Sequence, residues 1–207
     1  ICDLHEEAAN HVAEEAEKNN GYRPKIYTDF DSMISESGID ILDIVTDTKT
    51  HHSFAIKAMK NGISVLTEKP MGITLKACRK MKDVQEKNNV KLAVAENYRR
   101  DPMNRLVKAL IDEGAIGDLQ MVIDVSVSGG GYLMHGTGWR AKKSLAGSLI
   151  LEQGVHTSDL ILYFMGKAKT IYAKTGVLNP IRKTSGIDRK STRLNSSHRC
   201  ISYAVFC

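Results

Sequence analysis

The sequence has no apolar run of about eighteen residues, the length that a membrane-spanning helix needs. Cysteine is also scarce, and the four cysteines form no CxxC pair and have no spacing typical of metal ligands. We therefore expect no membrane span, no metal centre and a reduced, cytoplasmic setting. Because the chain opens on Ile1 without a methionine, the presence of a preceding targeting segment stays open.

A GxGxxG loop, which cradles the phosphates of a dinucleotide, is missing as well. The glycine cluster at residues 129–139 (GGGYLMHGTGW) does not replace it, because no helix with a suitable apolar face starts at those glycines. We expect the first strand, the phosphate loop and most of a second domain's sheet to lie outside this chain.

The positive charge is concentrated near the end of the chain. Of the formal net charge of +5, residues 188–207 (DRKSTRLNSSHRCISYAVFC) contribute +3 from four basic side chains and one acid, which leaves +2 elsewhere. This tail resembles the in-frame translation of a common sequencing adapter, and we predict that it is disordered and has no function. A nucleic-acid-binding module, which only the basic pI would suggest, is therefore disfavoured.

Residues 39–70 (IDILDIVTDTKTHHSFAIKAMKNGISVLTEKP) predict one strand, helix and strand in succession. An apolar run at each end is typical of a buried parallel strand, and residues 51–60 between them predict an amphipathic helix. Polar clusters follow both runs, at residues 46–51 and 67–70. Ligands bind beyond the carboxyl ends of the strands in an open parallel sheet, so both clusters are predicted to lie at a ligand-binding edge.

Further helices and strands are predicted on both sides of this unit. Apolar spacing, caps and stops predict helices at 4–19, 29–36, 74–88 and 102–113, with strands at 25–27 and 91–95. Asp29 and Asp101 are the predicted caps of two of these helices. In the helix at 74–88, the residues predicted to face inward are Leu75, Cys78, Met81 and Val84.

A different sheet is predicted after residue 117. Residues 119–128 (LQMVIDVSVS) alternate between apolar and polar, which is typical of a half-exposed strand, and a buried helix at 147–166 and a strand at 167–177 follow. The predicted fold class is α/β, a Rossmann-type parallel sheet that lacks its first strand. The predicted divisions are a partial dinucleotide-binding domain at 1–117, a partial second domain at 118–187 and the tail at 188–207.

Asp3 stands where a dinucleotide-binding fold places the acid that accepts hydrogen bonds from the adenosine ribose. A carboxylate there repels a 2′-phosphate, and no arginine follows at once, so NAD is favoured over NADP. The alternative, equally weighted, is that Asp3 caps the helix that follows.

An ordered set of motifs spans most of the chain before the tail. Its members are Thr46-x-Thr48-x-x-His51, Glu68-Lys69-Pro70, Glu96-x-Tyr98-Arg99, Pro102 with Gly114-x-Ile116-Gly117, Trp139-Arg140, and Glu152-x-Gly154-x-His156-x-x-Asp159. The set resembles the glucose-fructose oxidoreductase and inositol dehydrogenase family, called Gfo/Idh/MocA. The resemblance implies a Rossmann domain followed by an α+β domain with an open-faced, mostly antiparallel sheet. It also implies hydride transfer between NAD(P) and a sugar, a polyol or a related carbonyl compound.

The same resemblance implies roles for individual residues. His156 is the expected acid/base and Lys69 the donor that polarises the substrate oxygen, with Glu152 and Asp159 as further catalytic candidates. The cofactor-binding candidates are Asp3, Thr46, Thr48, His51, Glu68, Lys69, Pro70, Glu96, Tyr98, Arg99, Trp139 and Arg140. Without the resemblance to the family, Lys69 would be interpreted as a surface lysine and His156 as a histidine of the core.

The sequence departs from the family pattern at two positions. Glu152 stands where the family usually has Asp, so the carboxylate that would orient His156 or the substrate lies one methylene further out. Asp47 stands where the family often has Pro, and capping of the next helix is its favoured role. His51 and His52 are adjacent, diverge on a helix and make a poor metal pair.

We expect the intact protein to be an NAD(P)-dependent oxidoreductase and this chain alone to be inactive. The alternative is a non-catalytic dinucleotide-binding or scaffold protein on the same fold, which binding without turnover would favour. An open-faced sheet with one apolar side commonly binds a partner, so a homo-oligomer is expected at full length. The contacts that select the substrate are expected at residues 129–145 and in sheet residues outside this chain. Neither nucleic acid nor membrane is an expected partner.

Overall fold

A parallel sheet of three strands forms the centre of the protein. The computed structural model describes residues 1–125, 139, 140, 142–174, 176, 179–181 and 195–197. Strands β1 (Ile41–Ile44), β2 (Ser64–Glu68) and β3 (Leu92–Ala95) lie in the order β1-β2-β3 and pair in parallel. The predicted α/β class and the strand-helix-strand unit at residues 39–70 are therefore confirmed.

Helices connect and flank these strands. They are α1 (Glu6–Asn20), α2 (Phe30–Glu36), α3 (Thr48–Lys60), α4 (Leu75–Asn88), α5 (Pro102–Asp112), α6 (Lys143–Ala146) and α7 (Leu149–Met165), and a 3₁₀ turn lies at Asn97–Arg100. The predicted caps are confirmed, since the Asp29 carboxylate accepts a hydrogen bond from the Ser32 N–H and that of Asp101 accepts from Met103 and Asn104. These bonds satisfy amide groups that have no partner inside the helix.

The apolar core lies on one face of the sheet. Right-handed crossovers in one direction place α3 and α4 on the same face, where the two helices also pack on each other. Side chains alternate along a strand, so Leu42, Ile44 and Val65 are buried on this face. On the opposite face, Ile41 is 67% exposed. The first strand of the unit was predicted to be a buried parallel strand; β1 is parallel to β2, but only Leu42 and Ile44 of its four residues are buried.

The main core cluster joins the sheet to the helices that cover it. Its buried members are Tyr27, Met33, Leu42, Ile44, Ala55, Ala58, Met59, Ile63, Val65, Met81 and Val84. Most of them come from α3, α4, β1 and β2. The core therefore holds the carboxyl ends of the strands in fixed relative positions.

Three predicted strands do not form where the structure describes them. Residues 25–27 contribute only an isolated parallel bridge between Cys2 and Tyr27, since the chain turns at Asp3 towards α1. In the described parts of the other two, residues 119–125 and 167–174 form no strand. An alternating pattern needs a neighbouring strand to complete its hydrogen bonds, and the described residues supply none there.

Two smaller predictions also differ from the structure. Leu75 was expected to face inward, but it is 72% exposed because it opens α4 directly after the cap Thr74. Within the tail, Asn195–Ser197 forms a short strand, β5, that pairs antiparallel with β4 (Asn179–Ile181). The expectation that residues 188–207 have no fold is therefore wrong at these three residues. Their backbone N–H and C=O groups form hydrogen bonds with β4.

No helix among the described residues is long and apolar enough to cross a membrane. The glycine cluster at residues 129–139 lies outside the described residues, apart from Trp139.

Two substitutions on α4 test the position of the core. Met81 is 0% exposed, so Met81→Ala should lower the free energy of unfolding by about 2–5 kcal/mol through lost burial and a cavity. Leu75→Ala on the same helix should change it by less than about 0.5 kcal/mol. Urea unfolding followed by circular dichroism measures both, and equal losses would contradict this account of the core.

Candidate active site

Polar side chains follow all three strands of the sheet at the same edge. Thr46 comes two residues after β1, Lys69 directly after β2 and Glu96 directly after β3. Helix α7 lies over this edge and adds Glu152 and His156, which are one helical turn apart on one face. We call Lys69, Glu96, Tyr98, Glu152 and His156 the edge cluster.

Helix α7 begins at a sharp turn against the rest of the fold. Gly147 has a φ of +83°, a backbone conformation that favours glycine, and a β-carbon there would also lie 2.6 Å from the Leu151 Cδ2, so that side chain would have to move. Ser148 then caps the helix by accepting a hydrogen bond from the Leu151 N–H. The buried positions of α7 include Glu152 and His156, whereas the apolar residues predicted to be buried, such as Leu151 and Val155, are only half-buried.

Glu152 holds two cations at one buried carboxylate. Its Oε1 lies 3.2 Å from the Lys69 Nζ and 3.1 Å from the Arg140 Nε, and its backbone carbonyl accepts a second hydrogen bond from Lys69 at 3.0 Å. Glu152 is 1% exposed, so these contacts supply the charge pairing that a buried carboxylate requires. Arg140 also lies over the ring of Trp139, 4.4 Å from its centroid.

His156 is held by the residues that follow β3. Its Nδ1 lies 2.6 Å from the Glu96 Oε1, and its ring stacks on that of Tyr98 with centroids 4.1 Å apart and planes 14° apart. The same Glu96 oxygen accepts a hydrogen bond from the Tyr98 N–H at 3.2 Å. Glu152 was expected to orient His156 or the substrate, but the carboxylate that contacts His156 is Glu96.

Arg99 and Asp159 form a separate pair beside the edge cluster. The Arg99 Nε donates to Asp159, and the guanidinium lies 5.0 Å from the centroid of the Tyr163 ring. The hydrogen bond to Asp159 raises the pKa of Arg99, so the cation is retained. The Asp159 carboxylate therefore joins α7 to the 3₁₀ turn at Asn97–Arg100 rather than to His156.

His51 ties the first two strand ends together. Its Nδ1 lies 2.9 Å from the Pro70 carbonyl oxygen and its Nε2 lies 3.1 Å from the Thr46 carbonyl oxygen, and the residue is 1% exposed. Both contacts are made with backbone atoms. His51 therefore supports the shape of the edge, and its predicted role in cofactor binding stays a prediction.

The start of α3 carries polar atoms without partners. Asp47 is the N-cap residue, but its side chain makes no capping hydrogen bond, and the Thr50 N–H bonds to its carbonyl oxygen instead. The prediction that its carboxylate caps the helix is therefore wrong. The Asp47 Oδ1 and the Thr48 Oγ1 are buried without a hydrogen-bond partner.

The remaining candidates lie at or near the strand ends. Thr46 accepts a hydrogen bond from the Thr50 hydroxyl, Glu68 accepts from the Lys69 N–H, and Pro70 is fully buried. Asp3 accepts from the His5 N–H at the start of α1, and no hydrogen bond or ion pair joins it to the edge cluster among the described residues. Its predicted contact with a ribose stays a prediction.

The fold and this site define a class of protein, a Rossmann-type oxidoreductase domain with a lysine and a histidine at the carboxyl edge of its sheet. Residues 1–96 match the model of the "Oxidoreductase family, NAD-binding Rossmann fold", and residues 104–192 match that of the "GFO/IDH/MocA C-terminal domain". The chain belongs to the Gfo/Idh/MocA oxidoreductase family. The resemblance inferred from the motifs is confirmed.

Solved and curated relatives support the same assignment. Levoglucosan dehydrogenase of Pseudarthrobacter phenanthrenivorans is 31% identical over 196 residues, which are 90% of this chain and 48% of the relative. The structure of a levoglucosan dehydrogenase in complex with NADH and levoglucosan has a TM-score of 0.70 at 30% identity and covers 88% of this chain and 48% of that one.

A second structural relative is the WlbA dehydrogenase from Bordetella pertussis in complex with NADH and UDP-GlcNAcA. Its TM-score is 0.72 at 27% identity, over 86% of this chain and 50% of that one. The chain thus spans about half the length of these relatives.

Two substitutions on α7, each of which replaces a carboxylate by an amide, test how much the ion pairs of the site contribute to the free energy of unfolding. Glu152→Gln should lower the free energy of unfolding by on the order of 3 kcal/mol, because two cations lose their shared buried carboxylate. Asp159→Asn, which breaks a pair with an exposed arginine, should cost about 1 kcal/mol or less. Chemical denaturation measures both, and a larger loss in Asp159→Asn would refute the ranking.

Proposed function

We propose that the protein is an NAD-dependent oxidoreductase that transfers hydride between the nicotinamide and a hydroxyl-bearing carbon of a sugar or polyol. The observation that carries the proposal is that Lys69 and His156 come together at the carboxyl edge of the sheet. Glu152 binds Lys69 and lies one turn of α7 from His156. A proton acceptor and a cation at one oxygen are what oxidation of an alcohol requires.

The polar atoms at the edge fit a bound dinucleotide. Five buried side-chain atoms among the described residues have no hydrogen-bond partner, and four of them lie at this edge. These four are the Asp47 Oδ1, the Thr48 Oγ1, the Glu96 Oε2 and the Glu152 Oε2. Buried polar groups are normally paired, so such a concentration supports a ligand rich in hydroxyl and amide donors. The ribose and carboxamide groups of NAD provide these donors.

Lys69 keeps one donor for the substrate. A lysine ammonium has three N–H donors, and two of them are directed at the Glu152 carbonyl and carboxylate oxygens. The third has no partner among the described residues and supports a hydrogen bond to the substrate oxygen. Since Glu152 fixes the other two donors, Lys69 needs no reorganisation when charge develops on that oxygen.

His156 would exchange the proton. The nicotinamide, when bound, supplies the hydride acceptor for oxidation and the hydride donor for reduction. In oxidation, the substrate O–H bond breaks and its proton passes to the Nε2 of His156, while hydride leaves the same carbon and the carbon-oxygen double bond forms. His156 returns the proton in the reverse direction.

The relatives support a sugar-type substrate and NAD as the cofactor. The matched structures carry NADH with levoglucosan or with UDP-GlcNAcA. The carboxylate of Asp3 also favours NAD over NADP, by repulsion of a 2′-phosphate. The division at residue 117, a cytoplasmic location and a homo-oligomer remain parts of the same proposal.

The roles of Lys69 and His156 can be tested by measuring turnover of the protein expressed from its full genomic reading frame. Lys69→Met and His156→Gln should each lower kcat/KM roughly 10²- to 10⁴-fold, measured by nicotinamide absorbance with a panel of sugars, polyols and uronates. Lys76→Met on the exposed side of α4 and His11→Gln on α1 are matched controls and should leave kcat/KM unchanged. Unchanged activity in both Lys69→Met and His156→Gln would refute the assigned roles, and dinucleotide binding without turnover would favour a scaffold.

A further inference from the structure

We propose that Glu96 is a positioning residue that fixes His156 in the tautomer with hydrogen on Nδ1 and a free electron pair on Nε2. Neutral imidazole carries one hydrogen, and the hydrogen bond at one nitrogen decides the state of the other. The catalytic consequence rests on the proposed function. The tautomer itself is a property of the folded chain and can be measured without turnover.

The contact with Glu96 selects the hydrogen position. The Glu96 Oε1 lies 2.6 Å from the His156 Nδ1, with His156 6% and Glu96 9% exposed. An ionised carboxylate has no hydrogen to donate, so the Nδ1 must be the donor. Hydrogen bonds with an ionised partner are shorter and stronger than those between neutral groups, and this contact is short.

A second donor argues that this oxygen is an acceptor. The Tyr98 N–H donates to the same Glu96 Oε1 at 3.2 Å. If Glu96 were protonated on Oε1, its O–H would point at His156, the hydrogen would sit on Nε2, and the amide would face a poorly accepting hydroxyl oxygen. Two donors converging on one oxygen are satisfied best when that oxygen belongs to a carboxylate.

Stacking on Tyr98 restrains the ring that Glu96 holds. The two rings are nearly parallel, at 14°, with centroids 4.1 Å apart, so rotation of the imidazole out of this plane is blocked on one side. Because Nδ1 is bound to Glu96, Nε2 points away from that carboxylate. The hydrogen bond to Glu96 is the only one that the His156 ring makes among the described residues, so the electron pair of Nε2 is available to a hydroxyl group.

The two carboxylates of the edge cluster have different partners. Glu152 pairs with Lys69 and Arg140, whereas Glu96 pairs with His156. When His156 accepts the hydroxyl proton on Nε2, it becomes an imidazolium with hydrogen on both nitrogens. The Glu96 carboxylate stabilises that cation, as a buried aspartate does for the histidine of a serine protease.

Long-range ¹H–¹⁵N spectra of the ¹⁵N-labelled 207-residue chain test the tautomer at about pH 9, above the ordinary titration range of histidine. Signals that disappear in His156→Gln belong to His156. We expect an Nδ1 of the protonated type and an Nε2 of the unprotonated type. The reverse assignment in the native chain would overturn the proposal.

Three variants test whether Glu96 is the cause. Glu96→Met removes the acceptor and should shift His156 towards the Nε2–H form. Glu96→Gln keeps an acceptor oxygen and should retain the Nδ1–H form. Glu113→Met, which replaces an exposed carboxylate beyond α5, should leave the His156 signals unchanged. A folded Glu96→Met chain that keeps the Nδ1–H tautomer would contradict the proposal. If Glu96→Met does not fold, the Glu96→Gln variant decides, and loss of its Nδ1–H form would contradict the proposal.

Steady-state kinetics of the protein expressed from the full reading frame distinguish a failure of this proposal from a failure of the proposed function. Glu96→Met should lower kcat about 10²-fold or more with little change in the KM of the sugar or polyol, because a misplaced electron pair weakens the chemical step more than substrate binding. If the 207-residue chain has the Nδ1–H tautomer but the unmutated protein of the full reading frame shows no turnover, the oxidoreductase function is contradicted and the tautomer assignment stands. Turnover with kcat unchanged in Glu96→Met would overturn the catalytic role of Glu96.

Discussion

The Lys69 ammonium, at the end of β2, reaches a carboxylate of α7 that is 1% exposed. Neither charge is stable in such a place alone, because transfer of an unpaired ion out of water costs several kcal/mol. The contact therefore holds α7 over the carboxyl edge of the sheet, and Arg140 brings a second cation to the same oxygen. His156 reaches Glu96 and Tyr98 only because α7 lies there.

This constraint explains why the most buried positions of α7 include polar residues. A helix that packs on apolar surface would bury its leucines, but α7 covers a row of strand ends, where carboxylate, ammonium and imidazole groups are paired with one another. Leu151 and Val155 are only half-buried, whereas Glu152 and His156 lie against the edge. The polar interior is the kind of site in which hydrogen bonds and charges act most strongly, since water screens them least.

Local patterns predicted much of the fold and failed where a distant partner was needed. The unit at residues 39–70, the caps Asp29 and Asp101 and helix α7 were all predicted, because each depends on neighbours within about one helical turn. The strands expected at residues 119–128 and 167–177 are not formed where the structure describes them. Alternation creates an amphipathic segment, but a strand also needs a second segment to bond to.

By itself, the sequence determined the class of fold, the edge at which the polar clusters meet, and the family to which the motifs belong. Only the tertiary structure decided which carboxylate serves which partner. Glu152 lies four residues before His156 and was expected to orient it. The carboxylate that contacts His156 is instead that of Glu96, 60 residues away in the sequence. The reason is physical: on a helix face, residues four apart lie side by side, and here each of the two reaches outward to a different strand end.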